Sequence, residues 1–107
     1  GDDLVGYVQM GTMGLPFDTG DRVVRELKRL YIVERMKGRG LAQRLMGETV
    51  AWALAQGAQD LYLGVWAENA RALAFYGRNG FEVVGKYTYQ VGNTGDDERI
   101  MRRRLAD

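Results

Sequence analysis

Two glycines one residue apart, in Lys37-Gly38-Arg39-Gly40-Leu41-Ala42, join an apolar run to a long amphipathic stretch, and no other segment constrains the fold as sharply. The run before them, Leu30-Tyr31-Ile32-Val33, is apolar enough for a central strand. A chain that must pass from strand to helix within a few residues needs backbone angles that glycine adopts at no steric cost. Such a turn also gathers backbone N–H groups at a helix N-terminus, where the macrodipole attracts an anion. The segment predicts an anion site, and the ligand it suits is a pyrophosphate.

Two familiar glycine patterns do not account for it. A P-loop requires Gly-Lys followed by Ser or Thr, whereas Gly40 is followed by Leu41 and Ala42. A dinucleotide fingerprint counted from Gly38 and Gly40 requires a third small residue at position 43, which is Gln43. What remains is a basic residue, two spacers, a glycine, a spacer and a small residue.

The rest of the chain reads as alternating strand and helix. Leu4 to Met10 is short, β-branched and aromatic, and predicts a strand; Gly11 to Gly20, with Pro16, predicts a loop. Val23 to Val33 alternates imperfectly and predicts a strand that feeds the glycine segment. From Leu41 to about Gln56, Leu41, Ala42, Leu45, Met46, Thr49, Val50 and Ala53 recur at helical spacing, and Gly57 is a natural stop. Leu61 to Trp66 predicts a strand parallel to the one before the helix. Asn69 suits an N-cap for a helix through Arg78, which Asn79-Gly80 ends. Phe81 to Val91 alternates as a half-buried strand, residues 92–97 carry turn chemistry, and Glu98 to Leu105 predicts the last strand. There is no internal repeat.

Composition narrows the chemistry. A chain of 107 residues is one domain, able to bury roughly two-thirds of its unfolded surface. Its 46% apolar and 27% charged residues are ordinary for a globular protein. Fifteen basic against 14 acidic side chains leave a net charge of +1, too little for a field that attracts nucleic acid or an anionic membrane. Arg102-Arg103-Arg104 is a strand with charged outer positions, since no aromatic platform accompanies it. With no cysteine and no histidine, disulfides, thiolate nucleophiles, histidine triads and most zinc sites are excluded, so no metal is expected. The absence of an eighteen-residue apolar run and of a signal-peptide pattern makes a cytoplasmic location the expectation.

The glycine segment resembles the coenzyme A pyrophosphate loop of the GNAT superfamily of N-acetyltransferases. Asn69, Tyr76 seven residues later, and Asn79-Gly80-Phe81 follow in the order of that family's second half, so the likeness runs from about Leu4 to Leu105. More narrowly, Gly64-Val65-Trp66-Ala67-Glu68-Asn69 and Glu98-Arg99-Ile100-Met101 are similar to the bacterial spermidine/spermine acetyltransferase branch. The resemblance implies an α/β fold whose mixed, mostly antiparallel sheet contains a central parallel βαβ unit. The family usually carries a strand-helix-helix-strand segment ahead of the region matched here, so the expectation is a fragment, a processed chain or a chain with a further N-terminal segment; if the chain is this short, it exposes a sheet edge for a partner or a second copy to cover, the latter giving a homodimer.

Function by resemblance is transfer of an acetyl group from acetyl-CoA, as co-substrate, to a primary amine of a small molecule, a polyamine being favoured. The alternatives are a protein amine as acceptor, or a non-catalytic acyl-CoA-binding module. The backbone of Tyr31, Ile32 and Val33 would pair with the pantetheine arm, which requires the strands ending at Val33 and Trp66 to splay apart. Lys37, Gly38, Arg39, Gly40, Leu41, Ala42 and Gln43 would hold the pyrophosphate. Asn69 would be an N-cap, a cofactor contact or both, and the Tyr76 hydroxyl would protonate the departing thiolate. The amine, with a pKa near 10.4, must lose a proton before it attacks; Glu26 and Glu34 are the candidate acceptors. Glu68, Asp96, Asp97 and Glu98 are candidates to attract a cationic amine. Protein N-terminal acetyltransferases of the superfamily commonly have a glutamate about where this chain has Gly64, a departure that weakens a peptide acceptor.

Overall fold

The computed structural model describes residues 6–33, 37, 38, 40–91 and 94–106. The elements run β1 (Gly6–Gly11), β2 (Val24–Ile32), α1 (Leu41–Ala55), β3 (Asp60–Trp66), α2 (Ala70–Arg78), β4 (Glu82–Val91) and β5 (Thr94–Arg104). The strands form one sheet in the order β1-β2-β3-β5-β4. Among the described residues, only the β2–β3 pair is parallel, and α1 connects its two strands; the other three pairs are antiparallel. The mixed, mostly antiparallel α/β architecture is therefore as expected.

Alternation along the strands divides the sheet into two faces. Leu27, Leu61, Leu63, Val65 and Met101 point toward the helices and join Met46, Ala53 and Phe81 in one core. Helix α1 contributes Met46, Thr49 and Ala53, the residues it buries, while Leu41 and Leu45 are only half-buried. Thr49 is tolerated there because its hydroxyl donates to the Leu45 carbonyl at 2.8 Å. The helix stops where Gly57 turns to φ +78°, with the Ala58 amide folding back onto the Ala53 carbonyl. From α2, Ala72, Leu73, Phe75 and Tyr76 pack on the same core.

The opposite face is covered in its middle by the β1–β2 loop. Phe17 stacks at a tilt on Tyr62, with ring centroids 5.5 Å apart. A Cβ at Gly85 would sit 3.2 Å from the Phe17 ring, and one at Gly64 would sit 3.2 Å from Leu15, so both glycines make room for this loop.

One boundary differs from expectation. Residues 94–97, read as turn, belong to β5, where Asp97 pairs with Thr88 and Asp96 with Tyr89. Ladder pairing with the ten-residue β4 outweighs the local turn preference of two aspartates that stay exposed. Leu4 and Val5, at the start of the first expected strand, lie outside the described residues, as do Gly92 and Asn93. Among the described residues, no helix is long and apolar enough to cross a membrane.

Candidate active site

Strand β2 carries one surplus residue. Against β1, Met10 pairs with Leu27 but Gln9 pairs with Arg29, so Lys28 is bulged out of the ladder. A bulge bends its strand and shifts the alternation of side chains. Leu27 faces the helices before it, and Leu30 and Ile32 line the helix-side cleft after it. The parallel pairing of β2 with β3 covers Val24–Asp60, Arg25–Leu61 and Glu26–Tyr62, and ends just before the bulge. Beyond that point β2 pairs only with β1, and β3 only with β5. The two central strands thus fork, leaving inner edges that no described strand fills.

The helix-side mouth of the fork is a cleft of about 470 Å³. Leu30 and Ile32 form its apolar floor, residues 37, 38 and 40–43 one end, and α2 the opposite wall through Asn69, Phe75 and Tyr76. Gly38 and Gly40 have φ of +83° and +76°, left-handed values that other residues adopt with strain. Gly40 is the N-cap of α1, so no side chain caps that helix, and no acidic residue occupies its first turn. The first amides of α1 therefore open onto the cleft with the positive end of the helix behind them.

Helix α2 is placed by its own cap and by a tie to α1. The Asn69 Oδ1 accepts from the Ala72 amide at 3.1 Å. At the other end, Gln43 Nε2 donates to Asn79 Oδ1 at 2.7 Å, and Asn79 Nδ2 returns a bond to Gln43 Oε1 at 3.2 Å. The Gln43 side chain is thereby committed to holding the helices together, and only its backbone is left for a ligand. Tyr76 stands between Phe75 and Phe81, ring centroids 5.5 and 5.8 Å away. Burial of its ring pushes the phenol pKa above the usual tyrosine value, so the hydroxyl stays protonated through neutral pH.

Of the residues singled out from sequence, Ile32, Lys37, Gly38, Gly40, Leu41, Ala42, Gln43, Asn69 and Tyr76 line this one cleft. The Tyr31 side chain does not; it is 47% exposed and stacks on Tyr7 of β1, at 5.6 Å between centroids. Val33 follows the end of β2 and does not line the cleft either. Arg39 and Glu34 lie outside the described residues. Glu26 is on the other face of the sheet, where its Oε1 accepts from the Gly14 amide at 2.8 Å and from Lys28 Nζ at 3.2 Å. That carboxylate pins the β1–β2 loop to the strand. Arg71, Phe75 and Arg78 line the cleft without having been singled out. The three-residue steps from Asn69 to Ala72 to Phe75 were the signal available for one of them.

The acetyltransferase (GNAT) family profile matches residues 1–81. A Mycobacterium bovis protein named as an uncharacterised N-acetyltransferase is 36% identical over 96% of this chain and 62% of its own length. The N-alpha-acetyltransferase RimI of Mycobacterium tuberculosis is 31% identical over the whole of this chain and 63% of its own. Among solved structures, nourseothricin acetyltransferase superposes with a TM-score of 0.81 at 25% identity, covering 96% of this chain and 59% of that one. The chain thus spans about three-fifths of the length of these three proteins.

Proposed function

The chain belongs to the GNAT acetyltransferase family, and on that premise we propose that it is the acetyl-CoA-binding part of an enzyme that acetylates the primary amine of a small molecule. The observation that carries this reading is the fork of β2 and β3 together with the cleft on its helix side, floored by β2, with uncapped helix amides at one end and a neutral phenol on its wall. The donor set fits coenzyme A. The amides after Gly40 suit a pyrophosphate, Lys37, Arg71 and Arg78 add positive charge around it, and the inner edge of β2 suits the amides of a pantetheine arm. When bound, acetyl-CoA supplies an activated acyl group and a thiol leaving group of pKa about 8.5.

The residues of the chain then have separate tasks. Tyr76, protonated at neutral pH, donates to the sulfur as it leaves. Leu30, Ile32 and Phe75 exclude water from the slot. The absence of cysteine and histidine favours direct attack by the amine over an acyl-enzyme. A polyamine is the leading acceptor, by the likeness of the segments around Trp66 and Glu98. A protein α-amine is the second reading, favoured by the 31% identity to RimI. Against it, a side chain at position 64 would meet the Tyr87 hydroxyl 2.9 Å from its Cβ, so a glutamate there would have to displace that ring.

The test is calorimetric titration of the chain with CoA, followed by release of free thiol from acetyl-CoA in the presence of spermidine or of an alanine-led peptide. Binding with thiol release on spermidine is the expected result. Release on the peptide alone would favour the protein acceptor. Binding without release on any amine would leave an acyl-CoA-binding module, and no binding would sink the proposal.

A further inference from the structure

The sheet face turned away from the helices carries a group the reading above does not use. Register places Trp66, Glu98 and Tyr87 side by side on β3, β5 and β4, next to the row Gly64, Ile100 and Gly85. Glu98 keeps partial exposure, but its Oε2 is shielded from solvent and lacks a hydrogen-bond partner. A carboxylate oxygen in that state costs free energy unless something donates to it. Its surroundings are aromatic. Trp66 is 47% exposed beside it, and across the fork Tyr31, also 47% exposed, faces the same side of the sheet from the β2 arm.

We propose that Glu98 is the carboxylate that receives the acceptor's ammonium group on the far side of the fork and takes its first proton. The inference rests on the acetyl-transfer reading and deepens it. An ammonium ion over the exposed Trp66 ring gains cation–π attraction, and its N–H satisfies the orphaned Oε2. Gly64 has no side chain, and the Tyr87 hydroxyl and Leu15 fill the space over it, so the amine's way from Glu98 to the gap between β2 and β3 runs along the exposed Trp66. The step balances. Glu98 accepts one proton from the ammonium, leaving a neutral amine whose lone pair forms the C–N bond to the thioester carbonyl carbon. As the C–S bond breaks, Tyr76 protonates the sulfur and recovers a proton from the new amide nitrogen through water. Glu98 returns its proton to solvent, so one proton is released per acetyl group moved.

Partial desolvation, with repulsion from Asp96 two residues away on the same face, raises the Glu98 pKa and helps it hold that proton. Tyr87 on β4 and Asp96 on β5 are the titratable groups facing it; β3 offers Trp66 and Gly64, and the β1–β2 loop offers Leu15 beside Gly64.

The experiment compares wild type with Glu98→Gln and Glu98→Asp in steady-state kinetics with spermidine from pH 6.5 to 10, and in calorimetric titrations with CoA and with spermidine. For Glu98→Gln, kcat/KM for the amine should fall about 100-fold at pH 7, the scale of a lost general base. The deficit should shrink toward pH 10 as the amine deprotonates unaided, and Glu98→Asp should recover part of it. CoA affinity should stay unchanged, and spermidine affinity should drop about tenfold, the scale of a lost charge-assisted hydrogen bond. A deficit that is absent, or equal at every pH, overturns the proposal. If wild type transfers nothing yet loses spermidine on Glu98→Gln, the reaction reading falls and the amine site stands; if wild type binds no spermidine, the site falls.

Discussion

Tyr76 shows how much one side chain owes to its surroundings. Its ring is held by Phe75 and Phe81, and burial keeps the phenol neutral beyond the pH where an exposed tyrosine ionises. The protonated form is the donor, so activity should persist up to the usual tyrosine range, about pH 10, and decline only above it. Tyr76→Phe preserves the ring contacts and removes the proton. Thiol release should slow about tenfold, at the low end for acid catalysis because a thiolate leaves readily, while the CoA dissociation constant stays within a factor of about two. Equal loss of both would assign Tyr76 to binding. At this scale the sequence was informative where a residue type was rare in its context, as at Asn69 and Tyr76. It put Gln43 with the pyrophosphate and gave no sign that the side chain serves Asn79, because reciprocal amide bonds between two helices leave no local pattern.

Among the elements, α1 and its glycine lead-in were the most legible, since helical spacing and Gly57 marked both ends. The loop's conformation has a measurable cost. Nothing lies within 4 Å of a Cβ built at Gly40, so Gly40→Ala meets no clash and is opposed only by its φ of +76°. Stability should drop by about 1 kcal/mol in urea unfolding, and CoA affinity by about tenfold as the amides after residue 40 turn aside. If CoA binds as before, the loop is a simple connection and the anion site lies elsewhere. Strand β2 was harder to read. Its imperfect alternation through Leu27-Lys28-Arg29-Leu30 is the trace of the bulge, yet hydropathy alone cannot tell a surplus residue from a weak strand.

For the whole molecule, the closed end of the fork has to hold while the open end accommodates a ligand. Asp60 at the start of β3 is fully buried and accepts from Arg22 through both carboxylate oxygens, at 2.5 and 2.9 Å. Arg22 also donates to the Ala106 carbonyl at 2.8 Å, tying three segments together where β2 and β3 are still paired. The hydrogen bonds Arg22 donates to Asp60 raise the guanidinium pKa further and hold it charged. Asp60→Ala should lower the urea midpoint by the equivalent of about 1–2 kcal/mol, since it removes the buried acceptor of two charge-assisted hydrogen bonds while the partly exposed Arg22 regains water. A change below about 0.5 kcal/mol would mean the clamp is ornamental. No sequence pattern linked Arg22 to a residue 38 positions away, because such pairs depend on how the strands come together.

The bulge at Lys28 carries a wider implication. Without that residue, Leu27, Leu30 and Ile32 would fall on one face in unbroken alternation, and the strand would have no cause to swing away from its neighbour. Deleting Lys28 should therefore let β2 and β3 go on pairing past Glu26 and close the doorway through the middle of the sheet.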